Sequence, residues 1–168
     1  MNEDSKEILN TLERLNISYT LLEHEACYTM SDLKAYEDTL NALHCKNLFL
    51  QDRQGNEFFL LLLVDNKKFR TAEVSKEIGR ARLSFGNPES LHEYLHEVPG
   101  AINPLGLIYD KEHNVNLLID NDLNALDDIC FHPNDCRYSL RMKYCDFINV
   151  FLPHLEIEPT YIKVSSYL

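Results

Sequence analysis

The sequence predicts an α+β fold in which a curved, mixed or mostly antiparallel β-sheet, barrel-like in outline, is surrounded by helices. Apolar segments of strand length outnumber the segments with helical spacing. Most of these strands are joined by short polar turns, whereas parallel βαβ units would need a helix between strands. Because 45% of the 168 residues are hydrophobic, the chain can bury a full core, and we expect one domain over residues 1–168.

Helices are predicted where apolar residues recur at helical spacing or where a cap and a stop enclose a short segment. The predicted helices are 4–15 (cap Asp4 or Ser5), 31–40, 71–78 (cap Thr71, stop Gly79), 88–95 (cap Asn87, Pro88 in the first turn) and 146–152 (ended by Pro153).

Strands are predicted for the remaining apolar segments. They are 19–22, 46–51, 58–64, 106–109, 115–119, 129–132, 138–142 and a weaker 157–164. The turn sequence 52–55 ends in Gly55, which can adopt positive φ, so 46–51 and 58–64 should form a hairpin. The run 58–64 is apolar without interruption, which predicts a central strand buried on both faces.

The charge distribution indicates one surface that could contact RNA. The net charge of −11 argues against a protein that coats nucleic acid non-specifically. Residues 67–82, however, contain six basic and two acidic residues. Such a segment can bind one RNA end while the acidic body repels bulk polyanion. The alternative is a solvated helix face.

Several classes of protein are not expected. No apolar run approaches the roughly 20 residues of a membrane span, and the N-terminus lacks the pattern of a signal peptide, so we expect a cytoplasmic protein.

Five cysteines without a CxxC pair are expected to be free and reduced. Cys45, beside a lysine, is either a reactive thiol or a small buried residue. His92 and His96 lack a companion carboxylate motif, so neither a metal nor a cofactor is expected.

Three features could carry chemistry. Lys46 opens an apolar strand and could place an ammonium near a phosphate, or near a carbonyl that gains negative charge; it could also be an ordinary strand-end lysine. The stiff loop from Gly100 to Pro104 could hold a carbonyl or a water through backbone N–H groups, or simply connect two elements. His132 precedes a proline, which restricts its backbone, and could orient a substrate or serve a structural role.

Four separated pieces of sequence together resemble one known family. They are KNLFL at 46–50, RLS at 82–84, VPGAINP at 98–104 and FHPN at 131–134. In this order and spacing they resemble the YbaK/ProX family, whose members hydrolyse mischarged aminoacyl-tRNA. The resemblance extends over roughly residues 5 to 165 and is greatest to the single-domain ProX branch, which removes alanine from tRNA(Pro).

The resemblance implies hydrolysis of the ester between an amino acid and the terminal adenosine of tRNA, with Ala-tRNA(Pro) as the expected substrate. It implies catalytic roles for Lys46, which anchors the substrate, for Gly100, whose loop positions the ester and the attacking water, and for His132 in the same pocket. No protein nucleophile, metal or cofactor is implied. The implied substrate-binding residues are Thr29, Met30, Ala101, Ile102, Asn103, Pro104 and Asn134.

The implied partners are tRNA and, as a further candidate, prolyl-tRNA synthetase. The basic segment becomes the candidate contact for the acceptor stem, through Lys67, Lys68, Arg70, Lys76, Arg80 and Arg82. Two alternatives stay open: a deacylase for another small residue, such as cysteine or serine, and a protein that binds aminoacyl-tRNA without hydrolysing it.

Overall fold

The computed structural model describes residues 1–165, and residues 166–168 of the predicted domain lie outside the described residues. The described strands form two sheets. The strands are β1 (Tyr19–Glu23), β2 (Leu43–His44), β3 (Lys46–Gln51), β4 (Phe58–Leu63), β5 (Ser84–Phe85), β6 (Val115–Asp120), β7 (Asp128–Phe131), β8 (Tyr138–Lys143) and β9 (Thr160–Ile162).

Both sheets are mixed. The five-stranded sheet has the order β5-β3-β4-β6-β9, and the four-stranded sheet has the order β1-β8-β7-β2. The predicted hairpin of β3 and β4 is antiparallel, with Lys46 opposite Leu63, whereas β4 and β9 each run parallel to β6. The α+β class and the mixed sheets are as predicted. The barrel-like outline is not confirmed, because the described strands form two separate sheets.

Strand β4 is buried on both faces, as its uninterrupted apolar run predicts. It lies between β3 and β6. Phe58, Leu60 and Leu62 contribute to the main core cluster, while the alternate residues contribute to a second cluster. This division follows from the period of two along a strand. The second cluster includes Val74 of the helix that follows β4. This helix therefore covers the face of the five-stranded sheet that points away from the main core cluster.

The two sheets meet at Cys45. This residue separates β2, which pairs with β7, from β3, which pairs with β4. The chain therefore passes from one sheet into the other within a single residue. Cys45 itself is buried in the main core cluster, which also contains residues of β4, β7 and β8. Side chains on either side of Cys45 consequently lie at the junction between the sheets.

The helices are α1 (Glu3–Arg14), α2 (Met30–Leu40), α3 (Thr71–Glu77), α4 (Pro88–Leu95) and α5, which consists of the contiguous segments Tyr144–Asp146, Phe147–Phe151 and Leu152–His154. No helix among the described residues is long and apolar enough to cross a membrane. The predicted cap Asn87 accepts a hydrogen bond from the Ser90 N–H group. Helix α1 is capped by Asn2, and neither Asp4 nor Ser5 fills that role, because both lie inside its first turn.

Three further local predictions are wrong. The predicted strand 106–109 belongs to a 3₁₀-helix, Pro104–Tyr109, whose first turn is capped by the side chain of Asn103. Thr71 does not cap α3, because its hydroxyl donates to the Leu83 carbonyl. Pro153 does not end α5. The preceding turn, Phe147–Phe151, is π-helical, and this wider turn gives the proline ring room that a regular α-helix would deny it.

Candidate functional site

A cavity of about 180 Å³ opens at the junction between the two sheets. It is smaller than the roughly 300–1,000 Å³ typical of pockets for drug-sized ligands. Six of the predicted catalytic and substrate-binding residues line it: Thr29, Met30, Lys46, Gly100, Ile102 and His132. Its other walls are Cys27, Tyr28, Leu33, His44, Cys45, Asn47, Leu48, Cys130 and Phe131. Residues distant in sequence thus converge on one small cavity.

Lys46 is held at the cavity by the backbone carbonyl of Lys67, to which its ammonium donates a hydrogen bond. Because an ammonium has three protons, this bond leaves donors for a ligand. Lys67 is itself buried, and its ammonium contacts Asp120 Oδ1 at 2.9 Å, Asp122 Oδ2 at 2.7 Å and the Val164 carbonyl oxygen at 2.8 Å. These contacts fix the segment whose carbonyl holds Lys46.

The predicted place of Lys67 on an RNA-binding surface is therefore corrected. Its side chain is only 3% exposed, and its ammonium is already engaged by two carboxylates and a carbonyl. Burial opposes the charge, but the hydrogen bonds that the Lys67 ammonium donates to Asp122 and Asp120 outweigh it, so the pKa of Lys67 is raised. Lys67 is a buried structural cation that supports Lys46.

The Gly100 loop begins with a tight turn. The Ala101 N–H donates to the Val98 carbonyl oxygen at 3.0 Å, and Gly100 has φ +93°. Proline followed by a glycine at positive φ is typical of a type II turn. Within the described residues, the backbone N–H groups of Gly100 and Ile102 have no hydrogen-bond partner. The loop therefore has two unoccupied backbone donors beside the cavity, and their role in binding a carbonyl or a water stays a prediction.

Asn103 and Asn134 lie behind the cavity wall. The Asn103 amide donates to Glu97 Oε1 at 2.9 Å and to Asn134 Oδ1 at 2.8 Å, and the Asn134 amide donates to the Leu95 carbonyl at 3.0 Å. This network joins the end of α4 to the loops that carry Gly100 and His132. Asn103, Asn134, Ala101 and Pro104 are buried and are not among the cavity walls, so their position favours support of the loops over contact with a substrate.

Glu97 is the buried acid of this network. It is 1% exposed, and its Oε2 has no hydrogen-bond partner within the described residues. Burial raises the pKa of Glu97 well above its ordinary value of 4.5, although the hydrogen bond from the Asn103 backbone works in the opposite direction. The side chain also packs against Gly106, where an added Cβ would lie 2.4 Å from Glu97 Oε1. Gly106 thus gives the acid its space.

His132 presents a neutral ring to the cavity. Its Nδ1 lies 2.7 Å from the Tyr138 carbonyl oxygen. A carbonyl oxygen can only accept, so Nδ1 carries the proton and Nε2 has the lone pair. Burial lowers the pKa of His132, which favours the neutral form at neutral pH. The ring can therefore accept a hydrogen bond from an amine or hydroxyl group of a ligand.

A second histidine of the cavity wall, His44, belongs to a hydrogen-bond chain. Ser139 Oγ lies 2.7 Å from His24 Nε2 and 3.0 Å from His44 Nε2, while His24 Nδ1 lies 2.7 Å from the Glu25 carbonyl oxygen. Since that carbonyl must accept, His24 Nε2 accepts from Ser139, and Ser139 accepts from His44. This leaves the lone pair on His44 Nδ1, 3.6 Å from Glu37 Oε1. Burial, with His132 and His24 nearby, lowers the pKa of His44 to about 3.

Cys45 is a buried residue. Burial raises its pKa to about 12, so little thiolate forms at neutral pH. Within the described residues, no group of three or more histidine, cysteine or acidic side chains could hold a metal ion.

Comparison with known proteins decides the family. A family model described as "Aminoacyl-tRNA editing domain" matches residues 24–150, a span that contains every wall of the cavity. The chain belongs to the aminoacyl-tRNA editing domain family. This confirms the resemblance to the YbaK/ProX family that the four sequence pieces indicate.

Individual relatives of this editing-domain protein cover most of the chain. It is 30% identical over 147 residues to the prolyl-tRNA editing protein ProX of Acetoanaerobium sticklandii, covering 87% of this chain and 90% of that protein. It is 30% identical over 118 residues to prolyl-tRNA synthetase associated domain-containing protein 1 of Danio rerio, covering 70% and 64%. A crystal structure described as a candidate trans-editing enzyme for prolyl-tRNA synthetase has the same fold, with a TM-score of 0.71, 16% identity and coverage of 98% and 99%.

Sequence reasoning did not single out three parts of this editing-domain site. Tyr28 and His44 are cavity walls, and Glu97 anchors the loop network behind the cavity. Tyr28 is next to the predicted residue Thr29, and His44 lies two positions before the predicted residue Lys46. Their closeness along the chain to predicted site residues was therefore a signal that could have identified them. Nothing local marks Glu97, because its burial depends on how the loop folds over the end of α4.

Proposed function

We propose that this protein is a trans-acting aminoacyl-tRNA deacylase whose substrate is Ala-tRNA(Pro). The observation that carries the proposal is the convergence of Lys46, the Gly100 turn and His132 on one small cavity in a chain that is 30% identical to a prolyl-tRNA editing protein. A cavity of about 180 Å³ suits a small aminoacyl group. A synthetase pocket rejects a smaller side chain by only about 1–3 kcal/mol, so a second hydrolytic step is needed.

In the proposed reaction, water attacks the carbonyl carbon of the aminoacyl ester. The bond from that carbon to the ribose oxygen breaks, and the ribose oxygen takes up a proton. The products are free alanine and tRNA with its terminal hydroxyl restored. The developing negative charge on the carbonyl oxygen would be stabilised by the Lys46 ammonium and by the free N–H groups of Gly100 and Ile102.

His132 has the complementary role in this proposal. Its neutral ring can accept a hydrogen bond from the substrate amine or from a ribose hydroxyl. Asn103 and Asn134 act indirectly, because they join the loop of Gly100 to the loop of His132. We therefore propose Lys46, Gly100 and His132 as residues that touch the substrate, and the two asparagines as residues that position them.

We further propose that the basic segment contacts the tRNA acceptor stem. Lys68, Arg70, Lys76, Arg80 and Arg82 are exposed, and Arg80 forms an exposed ion pair with Glu57 at 2.8 Å. Leu48 both lines the cavity and packs against the apolar cluster beneath α3. Lys76 lies on α3, whose Val74 belongs to this cluster, so the basic segment and one wall of the cavity pack against the same apolar cluster. Lys67 is not part of this proposed surface, because it is buried.

The test is the release of labelled alanine from Ala-tRNA(Pro), with Pro-tRNA(Pro) in parallel. We expect fast release of alanine by the wild type and little release of proline. Lys46→Ala should abolish most of the activity, while Lys34→Ala, an exposed lysine on α2, should not change it. Release of serine or cysteine instead of alanine would redirect the substrate assignment. Tight binding without any release would reject the enzymatic proposal.

A further inference from the structure

Tyr28 is an exposed aromatic ring at the mouth of the cavity. It is one of the cavity walls, yet 65% of the residue is exposed. Single exposed aromatic residues are ordinary on protein surfaces. Tyr28 differs in its position, because its ring lies against Gly100, which is itself a wall of the cavity. A group that extends from a ligand in the cavity toward solvent must pass close to this ring.

The ring of Tyr28 is held in place by its surroundings. An added Cβ on Gly100 would lie 3.0 Å from Tyr28 Cδ1, so the ring packs directly on the glycine. The Cys27 N–H donates to the Cys136 carbonyl at 3.0 Å, and the Tyr28 N–H donates to Asp32 Oδ2 at 3.2 Å. Together with the hydrogen bond from the Thr29 N–H to the same Asp32 oxygen at 3.1 Å, these bonds anchor the backbone on both sides of Tyr28, while 65% of the residue stays open to solvent.

We propose that Tyr28 is the stacking platform for the base of the 3′-terminal adenosine of tRNA. The inference deepens the proposed function and rests on it. When the aminoacyl ester occupies the cavity, the ribose that carries the ester must lie at the cavity mouth, and its base is only a few bonds away. Stacking on an aromatic ring is a general means of holding unpaired nucleotides. The tRNA 3′ end is single-stranded, so its last base is free to stack.

The electrostatic surroundings of Tyr28 suit this role. The ordinary pKa of a tyrosine phenol, 10.0, already keeps the Tyr28 ring neutral at physiological pH, and the neighbouring Cys136 raises that pKa further. A neutral ring does not repel the phosphates of an incoming RNA end. The Lys46 ammonium lies in the same cavity and attracts the polar part of the substrate. The Tyr28 ring therefore supplies an apolar contact for the base, and the Lys46 ammonium supplies a polar contact for the substrate in the cavity.

The test compares binding of uncharged tRNA that ends in CCA with tRNA that lacks the terminal adenosine, measured by fluorescence anisotropy. We expect the wild type to bind the CCA form on the order of ten-fold more tightly, and Tyr28→Leu to bind both forms equally. Tyr28→Phe keeps the ring and should keep the discrimination. Tyr161→Leu, which changes an exposed tyrosine that is not a cavity wall, should also keep it. In deacylation, Tyr28→Leu should raise KM more than it lowers kcat.

The outcomes separate this inference from the proposed function. Equal binding of the two tRNA forms by the wild type, or unchanged discrimination in Tyr28→Leu, would overturn the stacking role even if deacylation is fast. Discrimination that depends on Tyr28 without any deacylation would uphold the stacking role and reject the enzymatic one. No measurable binding of either tRNA form by the wild type would overturn the stacking role, and it would overturn the enzymatic one as well only if deacylation is also absent.

Discussion

The buried acid Glu97 should make the stability of the protein depend on pH in a defined direction. We consider the replacement Glu97→Gln, which keeps the acceptor oxygen for Asn103 and removes the ionisable group. Burial raises the pKa of Glu97 in the folded protein above its ordinary value of 4.5, which the unfolded chain should retain. Between these two pKa values the folded state keeps a proton that the unfolded state releases.

The sign and size of the effect follow from this difference. Below pH 4.5 both states are protonated, and Glu97 causes no pH dependence. As the pH rises above that value, the unfolded state is favoured by about 1.4 kcal/mol for every pH unit that lies between the two pKa values. The loss ends once the pH exceeds the pKa of the folded state. The glutamine variant lacks this loss, so its stability relative to the wild type should increase with pH.

The assay is urea unfolding of both proteins at pH 5, 6, 7 and 8. The informative quantity is the difference between the two unfolding free energies at each pH, because the contributions of all other titrating groups cancel in it. Glu93→Gln, which alters an exposed glutamate on α4, the helix that ends just before Glu97, is the matched control and should give a flat difference. A flat difference for Glu97→Gln as well would refute the reasoning that Glu97 is held protonated by burial.

Three further predictions concern other buried or strained positions. Lys67→Met should lower the free energy of unfolding by about 3–5 kcal/mol in urea, because it leaves buried carboxylate uncompensated. Gly100→Ala and Gly55→Ala should both destabilise, since both glycines have positive φ, of +93° and +72°, but only Gly100→Ala should lower kcat/KM on aminoacyl-tRNA. In thiol titration at pH 7.5, exposed Cys145 should react in the native protein, whereas Cys45, with its pKa raised to about 12, should react only after unfolding.

Each of these has a result that would contradict it. A decrease of less than 1 kcal/mol in the free energy of unfolding for Lys67→Met would mean that the ion pairs of Lys67 contribute little to stability. Equal kinetic losses in both alanine variants would show that general strain, and not the position of Gly100 at the cavity, lowers the activity. Rapid modification of Cys45 in the native state would show that the thiol is accessible and ionised.

The sequence predicts the parts of the structure that depend on local signals. Pro99 followed by Gly100 specifies a tight turn, and the observed positive φ of Gly100 agrees. The turn that ends at Gly55, with apolar runs on both sides, specifies the β3–β4 hairpin. The uninterrupted apolar sequence of β4 specifies burial on both faces, which the two core clusters confirm. In each case the signal and its consequence lie within a few residues.

The failures occur where a side chain is controlled by partners distant in sequence. Lys67 opens a basic segment and resembles its exposed neighbours, but its ammonium is bound by Asp120 and Asp122, more than 50 residues away. Asn103 was expected to touch a substrate, yet its amide is engaged by Glu97 and Asn134. Local composition carries no information about such pairings, because they depend on which loops the two sheets bring together.

The buried groups of the cavity also explain how one cationic side chain can favour a group that gains negative charge. Burial keeps the imidazoles of His44 and His132 neutral, and it keeps the Cys45 thiol protonated. Among the described cavity walls, Lys46 is therefore the residue that contributes a formal charge, and its ammonium is held by a carbonyl and not by a carboxylate. An ammonium without a counter-ion interacts most strongly with a group that gains negative charge, such as the carbonyl oxygen of an ester under attack. A carboxylate partner would compensate the positive charge of Lys46 before the ester is attacked. The carbonyl of Lys67 holds the ammonium without compensating its charge.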